Sequence, residues 1–241
     1  MTPEQTAAAL KKPNGDAGFE FMADPLTREG GKAAGLRGRP LYHCGRGGAL
    51  GDVPAEVVVA AFAFFPPEVV HAHWEAGRQV MPPPEAALLY AGLCNEWGRR
   101  TFVEGPGTER FLELLERVCD GAEAAGLPLF AAWRRLPRPD DVPGRLAQVM
   151  NVMREHRGSI HACAVAAVGM DPLAANLGGA YGEAGARFLE WPEPYPDASP
   201  YKAQWEQAEQ LTSTAAAAAY RILSADERAE LVDLLPGLRQ T

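Results

Sequence analysis

The sequence predicts an all-α protein, folded as a single compact domain of about eight to ten helices. Strand signals are nearly absent, because β-branched residues are sparse and no stretch sustains an alternation of apolar and polar residues. Apolar residues instead recur at helical spacing in successive segments, most of which start after a proline or end at a glycine or proline. With 241 residues, the chain is long enough to bury a substantial core.

The N-terminal part of the chain carries the weakest helix signals. Residues 1–17 are predicted as a flexible tail, because they end in the turn-prone sequence Pro13-Asn14-Gly15-Asp16. The α-helical domain is accordingly predicted to span residues 18–241. Residues 19–50 are rich in glycine, so we expect an irregular region that holds short helical pieces at most.

Clear helix signals begin at Pro54, since proline favours the first turn of a helix. Residues 191–196 contain a proline at every second position and are predicted as an extended, rigid loop. The last helix is expected to open with a capping box at residues 224–227. The other helical segments are predicted at residues 55–65, 68–76, 84–102, 108–126, 129–136, 143–168 and 201–223.

The composition is that of a globular protein, with 47% apolar and 22% charged residues. The formal charge of −8 argues against a large basic surface, so we do not expect nucleic acid or an anionic membrane as a partner. The longest apolar run, residues 57–65, has about half the length of a membrane-spanning helix. The N-terminus lacks the pattern of a signal peptide. These features predict a cytoplasmic protein.

No metal or cofactor site is predicted. The four cysteines are widely scattered without a Cys-x-x-Cys pair, which favours reduced, mostly buried thiols over a disulfide or a zinc site. Glu68 and His71 have the spacing of a di-iron motif, but that chemistry needs a second copy and none is present, so a solvated helix end is expected. The sequence does not identify a cofactor, since the phosphate-binding glycine motifs fail at required positions.

The most informative segment is residues 150–161. On a helix, Arg154, Arg157, Gly158 and His161 fall at i, i+3, i+4 and i+7, so they form one continuous stripe. This stripe continues into apolar residues at both ends, which indicates that it faces the interior or a cavity. Two guanidiniums and an imidazole beside a glycine suit a carboxylate or a phosphate. The glycine, costly within a helix, predicts close approach of a ligand or of another helix.

Alternative explanations of the same stripe remain open. Arg154 and Arg157 can pair with glutamates of neighbouring helices, while His161 serves as a hydrogen-bonded core histidine; a metal site is a further alternative. Tyr42, His43 and Arg46 lie in the glycine-rich region, where a loop can bring polar groups close to the mouth of a pocket. A loop histidine is also commonly exposed without a role.

Three segments resemble the actinobacterial SalK-like family: Arg46 to Val53, Phe64 to Val70, and Arg154-Glu155-His156-Arg157-Gly158 with His161. This family is usually labelled helix-turn-helix or MarR-like and is often encoded near secondary-metabolite genes. The resemblance spans roughly residues 19–238. The resemblance implies that the protein is related to winged-helix proteins. Residues 174–198 nevertheless read as too short and too rich in glycine and proline to hold two helices and a wing, so we expect a degenerate form without a clear wing.

Three functions follow from these observations. The first is a small-molecule-binding helical protein of secondary metabolism that holds an anionic or polar ligand with Arg154, Arg157 and His161, with Tyr42, His43 and Arg46 near the mouth. The second is an enzyme of secondary metabolism that uses His161 or His43 as general acid or base. The third, implied by the resemblance, is a DNA-binding transcriptional regulator. The expected partner is a small molecule, with a homodimer as a further expectation.

Overall fold

The longest helix, α9 (Val142–Ala167), forms the centre of the protein in the computed structural model, which describes residues 1–240. Its start is fixed by Asp141, whose side chain accepts a hydrogen bond from the backbone N–H of Gly144, and by Pro143 in the first turn. Five other helices pack around it: α1, α6, α7, α8 and α12. Because its buried apolar side chains point in several directions, α9 is a core helix rather than an amphipathic surface helix.

The prediction of an all-α fold is confirmed. The structure forms a single domain, and no β-strand occurs within residues 1–240. The thirteen α-helices in this range are α1 (Pro3–Ala23), α2 (Pro25–Ala33), α3 (Arg39–Gly47), α4 (Ala55–Phe62), α5 (Pro67–Arg78), α6 (Pro83–Thr101), α7 (Pro106–Gly121), α8 (Pro128–Arg134), α9, α10 (Pro172–Gly178), α11 (Gly182–Phe188), α12 (Lys202–Ala217) and α13 (Ala225–Asp233).

The expected N-terminal tail is instead most of α1. A capping box between Thr2 and Gln5 opens the helix, which runs through Pro13 and contacts α9 and α12. Leu10 and Phe21 are completely buried, and the ring of Phe21 packs against that of Tyr90 in α6 at 4.8 Å. The turn-prone sequence at residues 13–16 is therefore overridden by tertiary packing, because burial of these side chains outweighs the local cost of a proline inside the helix.

The region expected to be irregular, residues 19–50, contains α2 and α3. Its glycines act as contact points between helices rather than as loop residues. A Cβ atom on Gly45 would lie 2.6 Å from Cβ of Tyr90 in α6, so only glycine lets α3 approach α6 this closely. Tyr42, His43 and Arg46 consequently lie on a helix, and the prediction that they occupy a loop is wrong.

The break between α4 and α5 comes earlier than predicted. Helix α4 ends at Phe62, and Ala63 takes a φ of 39°, a left-handed conformation that residues other than glycine rarely adopt. Phe64 and Phe65 then form the turn, and Pro67 starts α5. Helix α5 extends beyond its predicted end at residue 76, and Gly77 lies inside it, where it packs against Cys44 of α3.

Two short helices occupy the stretch that was expected to be too short for two helices and a wing. Helices α10 and α11 have seven residues each and pack against one another. No strand follows them in the part of the chain that the structure covers, so no wing is formed there. A small separate core supports this unit, built from Val165, Met170, Ala174, Ala175 and Ala208 with Ala164.

No single helix among residues 1–240 has the length and apolar character needed to cross a membrane. Helices α9 and α10 reach that length and apolar character only when they are taken together, and they meet at a bend of 112°.

Candidate functional site

The first arginine of the predicted stripe belongs to a buried ion cluster. Arg46 donates two hydrogen bonds of 2.8 Å to the carboxylate of Glu155, and Nη1 of Arg154 donates a third, of 2.9 Å. The Glu155 side chain is only 1% exposed. Burial alone would raise the pKa of Glu155, but the two guanidiniums prevail and hold it below its ordinary value. The carboxylate is therefore ionised and shared between the two arginines.

The other end of the stripe contacts Glu209 of α12. This carboxylate accepts a hydrogen bond of 3.0 Å from Arg157 and another of 2.7 Å from Lys11 of α1. His161 Nδ1 lies 3.0 Å from the hydroxyl oxygen of Thr212, whose own proton is donated to the carbonyl oxygen of Ala208. His161 is thus the donor to Thr212. Burial lowers the pKa of His161, and its ring stacks on Phe64 at 5.3 Å.

A chamber of about 240 Å³ lies between α1 and α9, beside both ion clusters. We call it the α1–α9 chamber. Its charged lining residues are Lys11, Arg154 and Arg157, and no aspartate or glutamate is among the lining residues. His156 also faces the chamber, and burial together with nearby Arg134 lowers its pKa to about 4, so its ring is neutral near pH 7. The wall of the chamber is therefore positively charged.

A glycine in α1 and a glycine in α9 have different surroundings near the chamber. A Cβ atom on Gly18 would lie 2.4 Å from Cδ of Arg154, so the glycine makes room for that arginine. By contrast, a Cβ atom on Gly158 would have no neighbour within 4 Å, because Gly158 faces the chamber. Of the two explanations expected for Gly158, close approach of another helix does not occur, and the glycine widens a space instead.

Asn14 lines the chamber, although no sequence pattern pointed to it. It is 6% exposed and lines the chamber, and its Oδ1 atom has no hydrogen-bond partner. A buried, unpaired amide oxygen costs free energy unless a ligand or a water supplies a donor. Asn14 was not selected as a candidate site residue because it lies within a turn-prone sequence, where an asparagine is ordinarily explained by the turn itself.

The predicted mouth residues do not join this chamber. Arg46 reaches Glu155 from α3, with its guanidinium 4.4 Å from the ring centre of Phe62. Tyr42 packs edge-on against the rings of Phe62 and His43. Of the six residues selected from the sequence, only Arg154 and Arg157 line the chamber.

His43 is a core histidine. It is completely buried, and Nδ1 lies 3.0 Å from the backbone oxygen of Arg39, to which it donates, while Nε2 has no partner. Burial lowers the pKa of His43 to about 3, so the imidazole is neutral at physiological pH. Neither His43 nor His161, the two histidines selected from the sequence as general acid or base, lines the chamber, whereas His156 does.

No group of three or more histidine, cysteine, aspartate or glutamate side chains suited to a metal ion occurs within residues 1–240. His71 of the Glu-x-x-His sequence lies at the surface, 3.7 Å from Glu56. The four cysteines are free thiols, of which Cys44, Cys94 and Cys119 are buried and Cys163 is exposed.

Comparison with known proteins gives one match. Residues 20–199 match the model of a helix-turn-helix family. No curated protein and no solved structure matches the chain. Because the matched range covers helices from the end of α1 to the segment before α12, it includes most of the fold. The protein therefore belongs to this helix-turn-helix family.

Proposed function

We propose that this protein binds a small anionic organic molecule in the α1–α9 chamber. The observation that carries the proposal is the lining itself: three cationic side chains, Lys11, Arg154 and Arg157, face the chamber, and no carboxylate does. Guanidinium and ammonium groups form their strongest hydrogen bonds with carboxylates and phosphates. The resemblance to the SalK-like family suggests a ligand from secondary metabolism.

The charges around the chamber favour an anion. Arg46 and Arg154 share the single charge of Glu155, and Lys11 and Arg157 share that of Glu209. Four cations therefore surround two carboxylates, which leaves an excess of two positive charges in a protein whose formal charge is −8. An anion in the chamber would balance this excess without changing the existing ion pairs.

The chamber also limits the size and chemistry of the ligand. Its volume of about 240 Å³ lies below the roughly 300–1,000 Å³ typical of sites for drug-sized ligands, which favours a small acid. The unpaired Oδ1 atom of Asn14 is an acceptor, so a ligand that carries a hydroxyl group beside its anionic group would satisfy it. A small hydroxy acid fits both conditions.

Calorimetric titration with citrate and with inorganic phosphate tests this proposal. We expect binding by the wild type and a loss of at least about tenfold in affinity for Arg157→Gln, since one charge-assisted hydrogen bond is worth about 1.5–3 kcal/mol. Arg221→Gln, at an exposed arginine outside the chamber, is the matched control and should bind as the wild type does. Native mass spectrometry of the purified protein would reveal a co-purified acid. Equal affinity of both variants would refute the proposal.

Membership of a helix-turn-helix family favours a second candidate, a DNA-binding regulator. The unit that fits this role is α10 and α11, two packed helices joined by a short turn. Tyr181, just before the second helix, and Arg187 and Phe188 within it are exposed, although Glu193 accepts hydrogen bonds from Arg187. A ligand-binding chamber and a DNA-binding unit are compatible in one regulator.

Fluorescence anisotropy with a labelled duplex from the region upstream of the protein's own gene tests the second candidate. Binding should weaken as salt is raised, and Arg187→Ala should lower both the affinity and the salt dependence. Arg221→Ala is the control at an exposed arginine of another element. Absence of salt-dependent binding would exclude recognition of this duplex through α11.

A further inference from the structure

A second and larger cavity lies along the C-terminal part of α9. It has a volume of about 980 Å³ and opens between α9, α4, the turn that follows α4, and the start of α10. We call it the α4–α9 groove. Its lining residues are distinct from those of the α1–α9 chamber, because the chamber uses residues 153–158 of α9 and the groove uses residues 159–166.

The charge of the groove is opposite to that of the chamber. Glu56 and Asp171 are the only charged residues that line it, and no lysine, arginine or histidine does so. The Glu56 side chain is 74% exposed, and its ionisable neighbour His71 lies 3.7 Å away. Asp171 uses Oδ1 to accept hydrogen bonds from the first turn of α10. Both carboxylates remain able to attract a cation.

Aromatic rings form part of the apolar wall. Phe64 and Phe65 come from the turn after α4, and Trp191 comes from the loop after α11. The indole N–H of Trp191 donates a hydrogen bond of 2.9 Å to the backbone oxygen of Phe64. Asn176 donates to the same oxygen, also at 2.9 Å, which fixes the turn against α10. The aromatic wall is therefore held in place before a ligand arrives.

We propose that the α4–α9 groove binds a hydrophobic organic cation, such as a lipophilic amine or a quaternary ammonium compound. The volume is in the range of sites for drug-sized ligands, and the wall is apolar with few polar groups, as such sites are. Aromatic rings attract cations through their negative faces, and the two carboxylates favour the same sign of charge. An anion of the same shape would gain the apolar contacts but meet repulsion.

Two probes of nearly the same shape and opposite charge test which sign of ligand charge the groove prefers. We expect tetraphenylphosphonium to bind, as followed by tryptophan fluorescence and calorimetry, and tetraphenylborate to bind at least about tenfold more weakly. Equal affinity, or tighter binding of tetraphenylborate, would overturn the proposal.

The overall negative charge of the protein also favours cations, so a variant must separate the local effect from the global one. The double variant Glu56→Gln/Asp171→Asn should reduce the preference for tetraphenylphosphonium, and asparagine keeps the capping role of residue 171. Glu109→Gln/Asp233→Asn changes the net charge equally at exposed positions outside the groove and should keep the preference. A similar loss of this preference in both double variants would refute a local role for Glu56 and Asp171.

A substitution that fills the groove tests whether the cation binds there. Ala166→Trp places a large ring at an exposed alanine of the lining, whereas Ala72→Trp does the same at an exposed alanine of α5 outside it. We expect Ala166→Trp to abolish tetraphenylphosphonium binding and Ala72→Trp to preserve it. Unchanged binding in Ala166→Trp would disprove the assignment. Citrate titration of the same variants reports on the chamber independently.

Discussion

A methyl group on Gly158 would extend from α9 into open space, which makes this position a direct probe of the chamber. Gly92 in α6 is the matched control, because it is also helical and its Cβ would also meet no atom within 4 Å, yet it does not line the chamber. Replacement of either glycine by leucine removes the helix penalty of glycine, so each variant should gain up to about 1 kcal/mol in unfolding free energy.

The two variants should differ in binding. The leucine at residue 158 would occupy much of a chamber of about 240 Å³ and should abolish citrate binding, whereas Gly92→Leu should retain it. Urea unfolding measures the stability and calorimetry measures the affinity. A Gly158→Leu protein that binds citrate like the wild type would place the ligand elsewhere.

At the residue level, the sequence located the charged stripe but left its partners open. The spacing of Arg154, Arg157 and His161 correctly indicated a common, partly buried face. The structure shows pairing with carboxylates, since Arg154 contacts Glu155 of its own helix and Arg157 contacts Glu209, while a space remains beside both arginines. Glu209 comes from a different helix, so its role depends on tertiary packing, which spacing along one helix cannot predict.

At the level of elements, the helices whose starts and ends carry local signals were predictable. The capping box at Ser224 and Glu227 forms as expected, and α9 matches its predicted range within one residue at each end. Helices α1 and α3 were missed because their glycines looked like loop residues. The function of Gly18 and Gly45 is to admit Arg154 and Tyr90, and those partners are distant in the sequence.

The role of α1 as a core element is tested at Leu10. Its side chain is completely buried, so Leu10→Ala should cost about 2–5 kcal/mol of unfolding free energy. Leu88→Ala in α6 is the control, because Leu88 is 50% exposed and its truncation should cost much less. Urea unfolding followed by circular dichroism gives both values. If Leu10→Ala were as stable as the wild type, residues 1–17 would behave as the mobile tail that the sequence predicted.

At the level of the whole molecule, net charge proved a poor guide to local charge. A formal charge of −8 coexists with a chamber lined by three cations and a groove lined by two carboxylates. The central helix α9 contributes to both cavities with successive parts of its length. The fold therefore places linings of opposite charge in two separate cavities, which composition alone cannot indicate.

The buried histidines make the stability of the whole molecule dependent on pH. Burial lowers the pKa of His43 to about 3 and that of His156 to about 4, whereas an unfolded histidine has a pKa near 6.5. Below pH of about 6.5 the unfolded chain takes up protons that the folded protein does not, so the unfolding free energy falls as the pH falls. Each histidine contributes a slope of about 1.4 kcal/mol per pH unit once the unfolded state is protonated.

We expect this loss of stability between about pH 6.5 and pH 5, above the range in which the carboxylates begin to protonate. Urea unfolding at pH 7, 6 and 5 measures it. His43→Phe, which suits the aromatic surroundings of Phe62 and Phe65, should reduce the slope by the contribution of one histidine. An identical pH dependence in the His43→Phe protein would mean that this imidazole is not held neutral by the fold.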